Sequence, residues 1–253
     1  MATSPLAAAG RPLVLGHRGA SADAPENTLA AFRLALAQGA DGFELDVWRC
    51  GSGEPVVIHD GTTQRTGGEP LAVRAEPLAR LRRLDVGAWK GAAHRGERIP
   101  TLAEVLAEFP RALVNVELKS DGTGDPRLAA GVARLLGGAA AERVVVSSFD
   151  YGLLTAFRLL APAVSVGLLF AADQPWERRV RLGSLLSPGS VHPQASLCTE
   201  ARIAAWRRAG LAVCPWTVDD PAEVERLARA GVAGLISNAP GAARQAVRRA
   251  CGG

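Results

Sequence analysis

Short apolar runs alternate with helix-length amphipathic stretches almost from one end of the chain to the other. The runs fall at 13–16, 43–48, 56–59, 112–118, 143–148, 164–170, 189–194, 211–217 and 233–237. Helical periodicity occupies 26–38, 101–109, 126–137, 151–160, 199–209, 219–230 and 240–250. Thr101, Asp150, Thr199 and Asp219 precede helical stretches, and their side-chain oxygens can accept the unpaired N–H groups of a first turn. Gly39, Gly210 and Gly231 stand where a helix C-terminal cap belongs, since glycine enters the left-handed region without strain. A repeat of this kind implies a parallel sheet. A chain of 253 residues suffices for one α/β barrel or two small domains. Polar residues recur at many strand ends, which favours one closed (β/α)8 barrel of the TIM type over residues 1–253.

Two places break the repeat. Between Asp46 and His59 there is too little chain for a crossover helix, which takes a dozen or more residues. The glycine-rich stretch 48–55 reads as a turn. An antiparallel hairpin would bring Glu44 or Asp46 close to His59, and the sequence leaves the sense of pairing open. Residues 60–100, polar and glycine-rich with one short helix near 77–84, form a small insertion after the His59 strand, on the side where a barrel keeps its active site.

Four polar motifs end or interrupt runs that should be buried: His17-Arg18-Gly19, Glu44-Leu45-Asp46, His59-Asp60 and Glu117-Leu118-Lys119. Strand alternation puts Glu44 and Asp46 on one face, opposite Phe43, Leu45 and Val47. Asn115, Glu117 and Lys119 likewise share a face. Charges on a half-buried strand are costly unless paired or bound to a metal. Glu44, Asp46 and Glu117 supply hard oxygen ligands suited to Mg²⁺ or Ca²⁺; carboxylates bridged to arginine are the alternative. His17 and His59 can act as a general base and acid near neutral pH. Arg18 and Lys119 offer positive charge to a phosphate, and Lys119 is one of only two lysines. Asp60 either orients His59 or caps a loop. Trp216 either faces the barrel mouth, against a substrate's carbon skeleton, or packs in the core. Glu26-Asn27-Thr28 is assigned to capping the first helix; His192 is a further candidate for the site, and His94 has no identifiable partner.

Composition closes off other classes. The net charge of +4 and pI near 9.2 come from arginines scattered over many segments, which argues against nucleic-acid binding. No run approaches the roughly 18 apolar residues of a membrane span, and no apolar segment of signal-peptide length precedes Leu13. Cys50, Cys198, Cys214 and Cys251 show no CxxC spacing, which argues against zinc or a disulfide framework and for a reducing, cytoplasmic setting. The oligomeric state is not readable.

The chain resembles the glycerophosphodiester phosphodiesterase family. The matching features are Gly16-His17-Arg18-Gly19-Ala20, Ala24-Pro25-Glu26-Asn27-Thr28, 39–47, Pro55-Val56-Val57-Ile58-His59-Asp60 and 114–119, with weaker ones at Ser147-Ser148-Phe149, Trp216-Thr217-Val218 and 234–240. The resemblance implies a barrel of the phospholipase C-like phosphodiesterase type. It implies Glu44, Asp46 and Glu117 as metal ligands, His17 and His59 as catalytic base and acid, and Arg18 and Lys119 as phosphate contacts. The implied reaction cleaves a small-molecule glycerophosphodiester to sn-glycerol 3-phosphate and an alcohol, either through a cyclic phosphate formed by a substrate hydroxyl or by direct attack of water. Three departures stand out: the turn 49–54 lacks the usual lysine–aspartate–glycine pattern, Thr63 replaces a leucine, and Ser237-Asn238 replaces a frequent threonine–aspartate. None is expected to touch the carboxylate–histidine set. Two other functions compete: a lysophospholipase D-like or phosphatidylinositol-type phosphodiesterase, with Leu71, Val73 and Trp89 as the candidate lipid rim, and a non-catalytic phosphodiester-binding protein.

Overall fold

Eight of the apolar runs become parallel strands of a nearly closed barrel. The computed structural model describes residues 4–8 and 10–252. The barrel strands are β1 (Leu13–His17), β2 (Gly42–Arg49), β4 (Leu113–Leu118), β5 (Val144–Ser148), β6 (Ser165–Phe170), β7 (Ser190–Pro193), β8 (Ala212–Val213) and β9 (Gly234–Ser237), paired in the order β8-β7-β6-β5-β4-β2-β1-β9. Backbone bonds bring the outer two together: Ala233 N–H donates to Val213 O at 2.9 Å, Ile236 N–H to Pro215 O at 2.9 Å and Val218 N–H to Ile236 O at 2.9 Å. The ninth strand, β3 (Pro55–Val57), pairs antiparallel with β2 in the register Val47↔Val57, Trp48↔Val56 and Arg49↔Pro55. The short connection is therefore a hairpin arm, and Ile58 N–H donates to Asp46 O at 3.0 Å just before His59.

The crossovers carry α1 (Leu29–Ala37), α4 (Leu102–Glu108), α5 (Pro126–Leu135), α6 (Tyr151–Leu160), α7 (Trp176–Gly183), α8 (Glu200–Arg208), α9 (Pro221–Arg229) and α10 (Pro240–Cys251); two four-residue helices, α2 (Gln64–Gly67) and α3 (Leu78–Leu81), lie in the 60–100 segment. Thr101, Asp150 and Thr199 cap their helices through side-chain bonds to Glu104, Leu153 and Arg202 N–H. Asp219 does not: Asp220 is the cap of α9, and Asp219 turns toward β9. Helix α7 was not signalled by apolar periodicity, because it is short and half of its eight residues are charged.

Alternation sorts the strand residues into two layers. Phe43, Leu45 and Val47 face outward and join the large cluster between sheet and helices, whereas Leu13, Leu15, Val145, Cys214 and Ile236 pack inside the barrel with Leu6. The polar positions 44, 46, 115 and 117 follow the inward parity. The 60–100 segment has its own small core, in which Val73, Leu81, Leu84, Val86 and Ile99 pack against Trp48, Val56 and Ile58 of the hairpin. Among the described residues no helix is long and apolar enough to cross a membrane.

Strand β2 carries two of the carboxylates and is locked from outside by a ring cluster. Phe43 stacks on Phe32 of α1 with centroids 4.3 Å apart and meets Phe109, just past α4, edge-on at 5.2 Å. All three rings are buried. Phe43→Ala should therefore lower unfolding stability by about 3–5 kcal/mol, the usual range for emptying an aromatic core position, as measured by urea denaturation. A loss under about 1 kcal/mol would show that this cluster does not fix β2.

Candidate active site

The inward polar residues meet at the C-terminal ends of β1, β2 and β4, beside the hairpin. They surround a cavity of about 160 Å³ lined by His17, Arg18, Glu44, His59, Asn115, Glu117, Lys119, Phe149 and Trp216. A broader cleft of about 500 Å³ shares Glu117 and Lys119 and runs on past Phe149 to Asp150 and Gln174. Seven of the eight residues singled out for the site line the smaller cavity, and the eighth, Asp46, lies beside Glu44 and Glu117. His192 does not join them: it is buried inside the barrel, its Nε2 lies 2.9 Å from Ser190 Oγ, and burial pushes its imidazole down to about 3. His94, in a turn of the 60–100 segment, is likewise not among the lining residues.

Glu44, Asp46 and Glu117 present oxygens that all lie within 4.8 Å of one another, the one such cluster of metal-ligating side chains among the described residues. All are buried. Burial, reinforced by Asp46 and Glu117, raises the Glu44 carboxyl well above the usual range. Burial also raises Glu117, partly offset by Lys119. For Asp46, burial is outweighed by Lys119 and Arg18, and its carboxyl is held well below its ordinary value. Three carboxylates this close cannot all ionise on protein charge alone. The set fits a divalent cation: the donors are all hard oxygens, and opposite ligands of an ion bound at roughly 2.0–2.6 Å lie about 4–5 Å apart. Asn115, buried on the cavity wall, has a side-chain oxygen and nitrogen with no hydrogen-bond partner, a further polar group turned toward the same space.

The cations are held by the same acids. Lys119 Nζ lies 2.9 Å from Glu117 Oε1 and 3.4 Å from Asp46 Oδ1. Arg18 Nε lies 3.3 Å from Asp46 Oδ2, and its backbone N–H donates to Glu44 Oε2 at 3.1 Å. Asn27, which the sequence assigns to capping, instead clamps β2: its Nδ2 donates to Asp46 Oδ2 at 2.8 Å, and its Oδ1 accepts from Asp46 N–H at 3.3 Å. Thr28 is the actual cap of α1.

The two histidines have different partners. Asn238 Nδ2 donates to Asp219 Oδ2 at 2.6 Å, which turns Asn238 Oδ1 to accept from Ser21 Oγ and from His17 Nδ1, each at 2.7 Å. His17 Nδ1 thus carries the proton, and its Nε2, 4.0 Å from Glu44 Oε2, keeps a lone pair facing the cavity. Burial, with Arg18 nearby, lowers the His17 pKa. His59 Nδ1 instead donates to the Asp60 carboxylate at 2.6 Å, and Trp48 Nε1 fixes the ring's backbone by donating to His59 O at 3.0 Å. The Ser237-Asn238 departure therefore does touch the histidine set. Its signal was parity, since Asn238, one residue past β9, continues the inward alternation of Ile236. Trp216 stands at the cavity mouth, edge-on to Phe149 with centroids 5.6 Å apart, while its Nε1 donates to His192 O at 2.8 Å.

Comparison with known proteins points to one family. The model of the glycerophosphoryl diester phosphodiesterase family matches residues 17–242. A glycerophosphodiester phosphodiesterase of Caldanaerobacter subterraneus subsp. tengcongensis is 37% identical over 235 residues, covering 91% of this chain and 95% of that one. Among solved structures, an Oleispira antarctica phosphodiesterase in complex with the product sn-glycerol-3-phosphate matches with a TM-score of 0.85 at 31% identity, over 94% of this chain and 97% of that chain. A glycerophosphodiester phosphodiesterase from Agrobacterium tumefaciens matches with a TM-score of 0.78 at 29% identity, over 92% and 99%.

A cation that relieves the carboxylate crowding should stabilise the fold as well. Adding magnesium or calcium to chelator-treated protein should raise its Tm, corresponding to about 2.7 kcal/mol at a hundredfold excess over Kd. Glu117→Gln should abolish most of that rise. A Tm indifferent to both ions would show that the three carboxylates are held without one.

Proposed function

The chain belongs to the glycerophosphoryl diester phosphodiesterase family, and from that premise we propose that it hydrolyses glycerophosphodiesters to sn-glycerol 3-phosphate and an alcohol, with His17 as general base and His59 as general acid. The observation that carries the proposal is the unequal partnering of two histidines around one carboxylate cluster. A neutral amide, Asn238, holds His17 with its free Nε2 toward the cavity, which suits a ring that must take a proton from the attacking oxygen. A carboxylate, Asp60, holds His59, which suits a ring that hands a proton to the departing alkoxide. Arg18 and Lys119 face the same cavity and supply positive charge where the phosphoryl oxygens gain negative charge. Trp216 covers the substrate's carbon skeleton.

Glu44, Asp46 and Glu117 would hold Mg²⁺ or Ca²⁺. An ion held there would supply Lewis-acid charge that stabilises developing oxyanions. The sn-glycerol-3-phosphate in the Oleispira antarctica neighbour supports the substrate class. The lipid alternative gains nothing from the 60–100 segment: Val73 is buried, Leu71 packs on the same small core, and of the three candidate rim residues only Trp89 is exposed. A water-soluble diester is the better substrate. The four free thiols support action in a reducing, cytoplasmic setting.

The experiment is hydrolysis of glycerophosphocholine and of a nitrophenyl-type glycerophosphodiester, with and without chelator, by the parent enzyme, His17→Ala and His59→Ala. Chelation should abolish turnover, and each histidine variant should lose about 10²–10⁴-fold on glycerophosphocholine. His59→Ala should recover more than His17→Ala on the nitrophenyl diester, whose leaving group needs no proton. Full activity in excess chelator, or equal losses on both substrates, would contradict the mechanism.

A further inference from the structure

The first helix of the 60–100 segment, α2, sends one side chain to both halves of the site. The Arg65 guanidinium donates through Nη1 to Glu26 Oε2 at 2.6 Å, through Nη2 to Glu26 Oε1 at 2.8 Å and through Nε to Asp60 Oδ2 at 2.7 Å. Each carboxylate then leads inward. Glu26 Oε1 accepts from Arg18 Nη1 at 2.9 Å, and Asp60 Oδ1 accepts from His59 Nδ1 at 2.6 Å. The chain Arg18–Glu26–Arg65–Asp60–His59 is therefore continuous, and Arg65 is its centre.

We propose that Arg65 is a positioning residue that couples the phosphate-side arginine to the proton donor, fixing how Arg18 and His59 face one substrate. The proposal rests on the reading of His59 as general acid. Isolated exposed ion pairs stabilise little, but a planar arginine fork bonded to two carboxylates adds geometry that a point charge cannot. Arg65 is 45% exposed, whereas the Glu26 side chain is only 12% exposed. Without Arg65, Glu26 keeps Arg18 as its remaining ion-pair partner among the described residues. That largely buried carboxylate then competes with the substrate phosphate for the Arg18 guanidinium. Asp60 in turn loses the bond that fixes its second oxygen, and the His59 ring loses its rigid mount. The two consequences are separable: the first weakens substrate binding, and the second weakens proton donation to the leaving alcohol.

The test is kcat and KM for Arg65→Ala, Arg65→Lys, Asp60→Asn and His59→Ala on glycerophosphocholine and the nitrophenyl-type diester, with Tm as a control for folding. Arg65→Ala should lower kcat on glycerophosphocholine about 10–100-fold, the usual cost of removing an orienting outer partner. The kcat loss should be much smaller on the nitrophenyl diester, and KM should rise on both. Arg65→Lys, which retains charge without the fork, should recover only part. Asp60→Asn should give the leaving-group-dependent loss in kcat with KM near the parent value, because Glu26 and Arg65 still hold the Arg18 arm. Unchanged kcat and KM in Arg65→Ala, or a kcat loss of the same size on both diesters, would overturn the proposal. If Arg65→Ala does not fold, the lysine variant with Asp60→Asn gives the same two readings. Absence of leaving-group dependence in His59→Ala would instead overturn the underlying acid assignment, and the two failures are thus distinguishable.

Discussion

Three carboxylates packed within 4.8 Å inside a barrel are the constraint around which the site is arranged. Their mutual repulsion and burial push Glu44 and Glu117 toward the protonated state, while Asp46 is held ionised by Lys119 and Arg18. Two protein cations cannot balance three buried acids and also serve a phosphate. The polar arrangement therefore has room for added positive charge, which a divalent cation would supply. The same shortage accounts for the donors gathered on the cluster: Asn27 on Asp46, the Arg18 N–H on Glu44, and Lys119 between two acids.

The barrel converts that local problem into a site. Parallel strands end together at one rim, so inward positions of β1, β2 and β4 meet there without any long-range loop being ordered. The antiparallel arm β3 adds what a parallel neighbour could not, returning the chain beside Asp46 without a crossover helix and delivering His59 to the same rim. Outside the sheet, Phe32, Phe43 and Phe109 hold β2 rigid, which matters because a carboxylate on a mobile strand cannot keep ligand geometry.

Much of this was legible in the sequence, for a physical reason. Period-two alternation makes a buried charge conspicuous, so Glu44, Asp46, Glu117 and Lys119 announced themselves on strands that otherwise had to be apolar. Fold class followed from the strand–helix repeat. Bonds between distant side chains were not legible: Arg65 reaches Glu26 across 39 residues, and neither has a local pattern that names the other. Asn27 was hidden because asparagine before a helix reads as a cap. Asp219 misled for the same reason, since two adjacent aspartates offer two cap positions and only Asp220 uses one. Asn238 reads in the sequence only as a departure from a family pattern, whereas its amide is the partner of His17. Helix α7 escaped because it is short and half of its residues are charged, which leaves too few apolar positions to show a period.

The central claim is that the carboxylate cluster is a cation site, and location of the ion tests it most directly. Manganese accepts the same oxygen ligands as magnesium and calcium and scatters anomalously. Crystals grown with manganese should show one strong anomalous peak bonded at roughly 2.0–2.6 Å to oxygens of Glu44, Asp46 and Glu117. No peak there, with the three carboxyls close enough to share protons, would contradict the account.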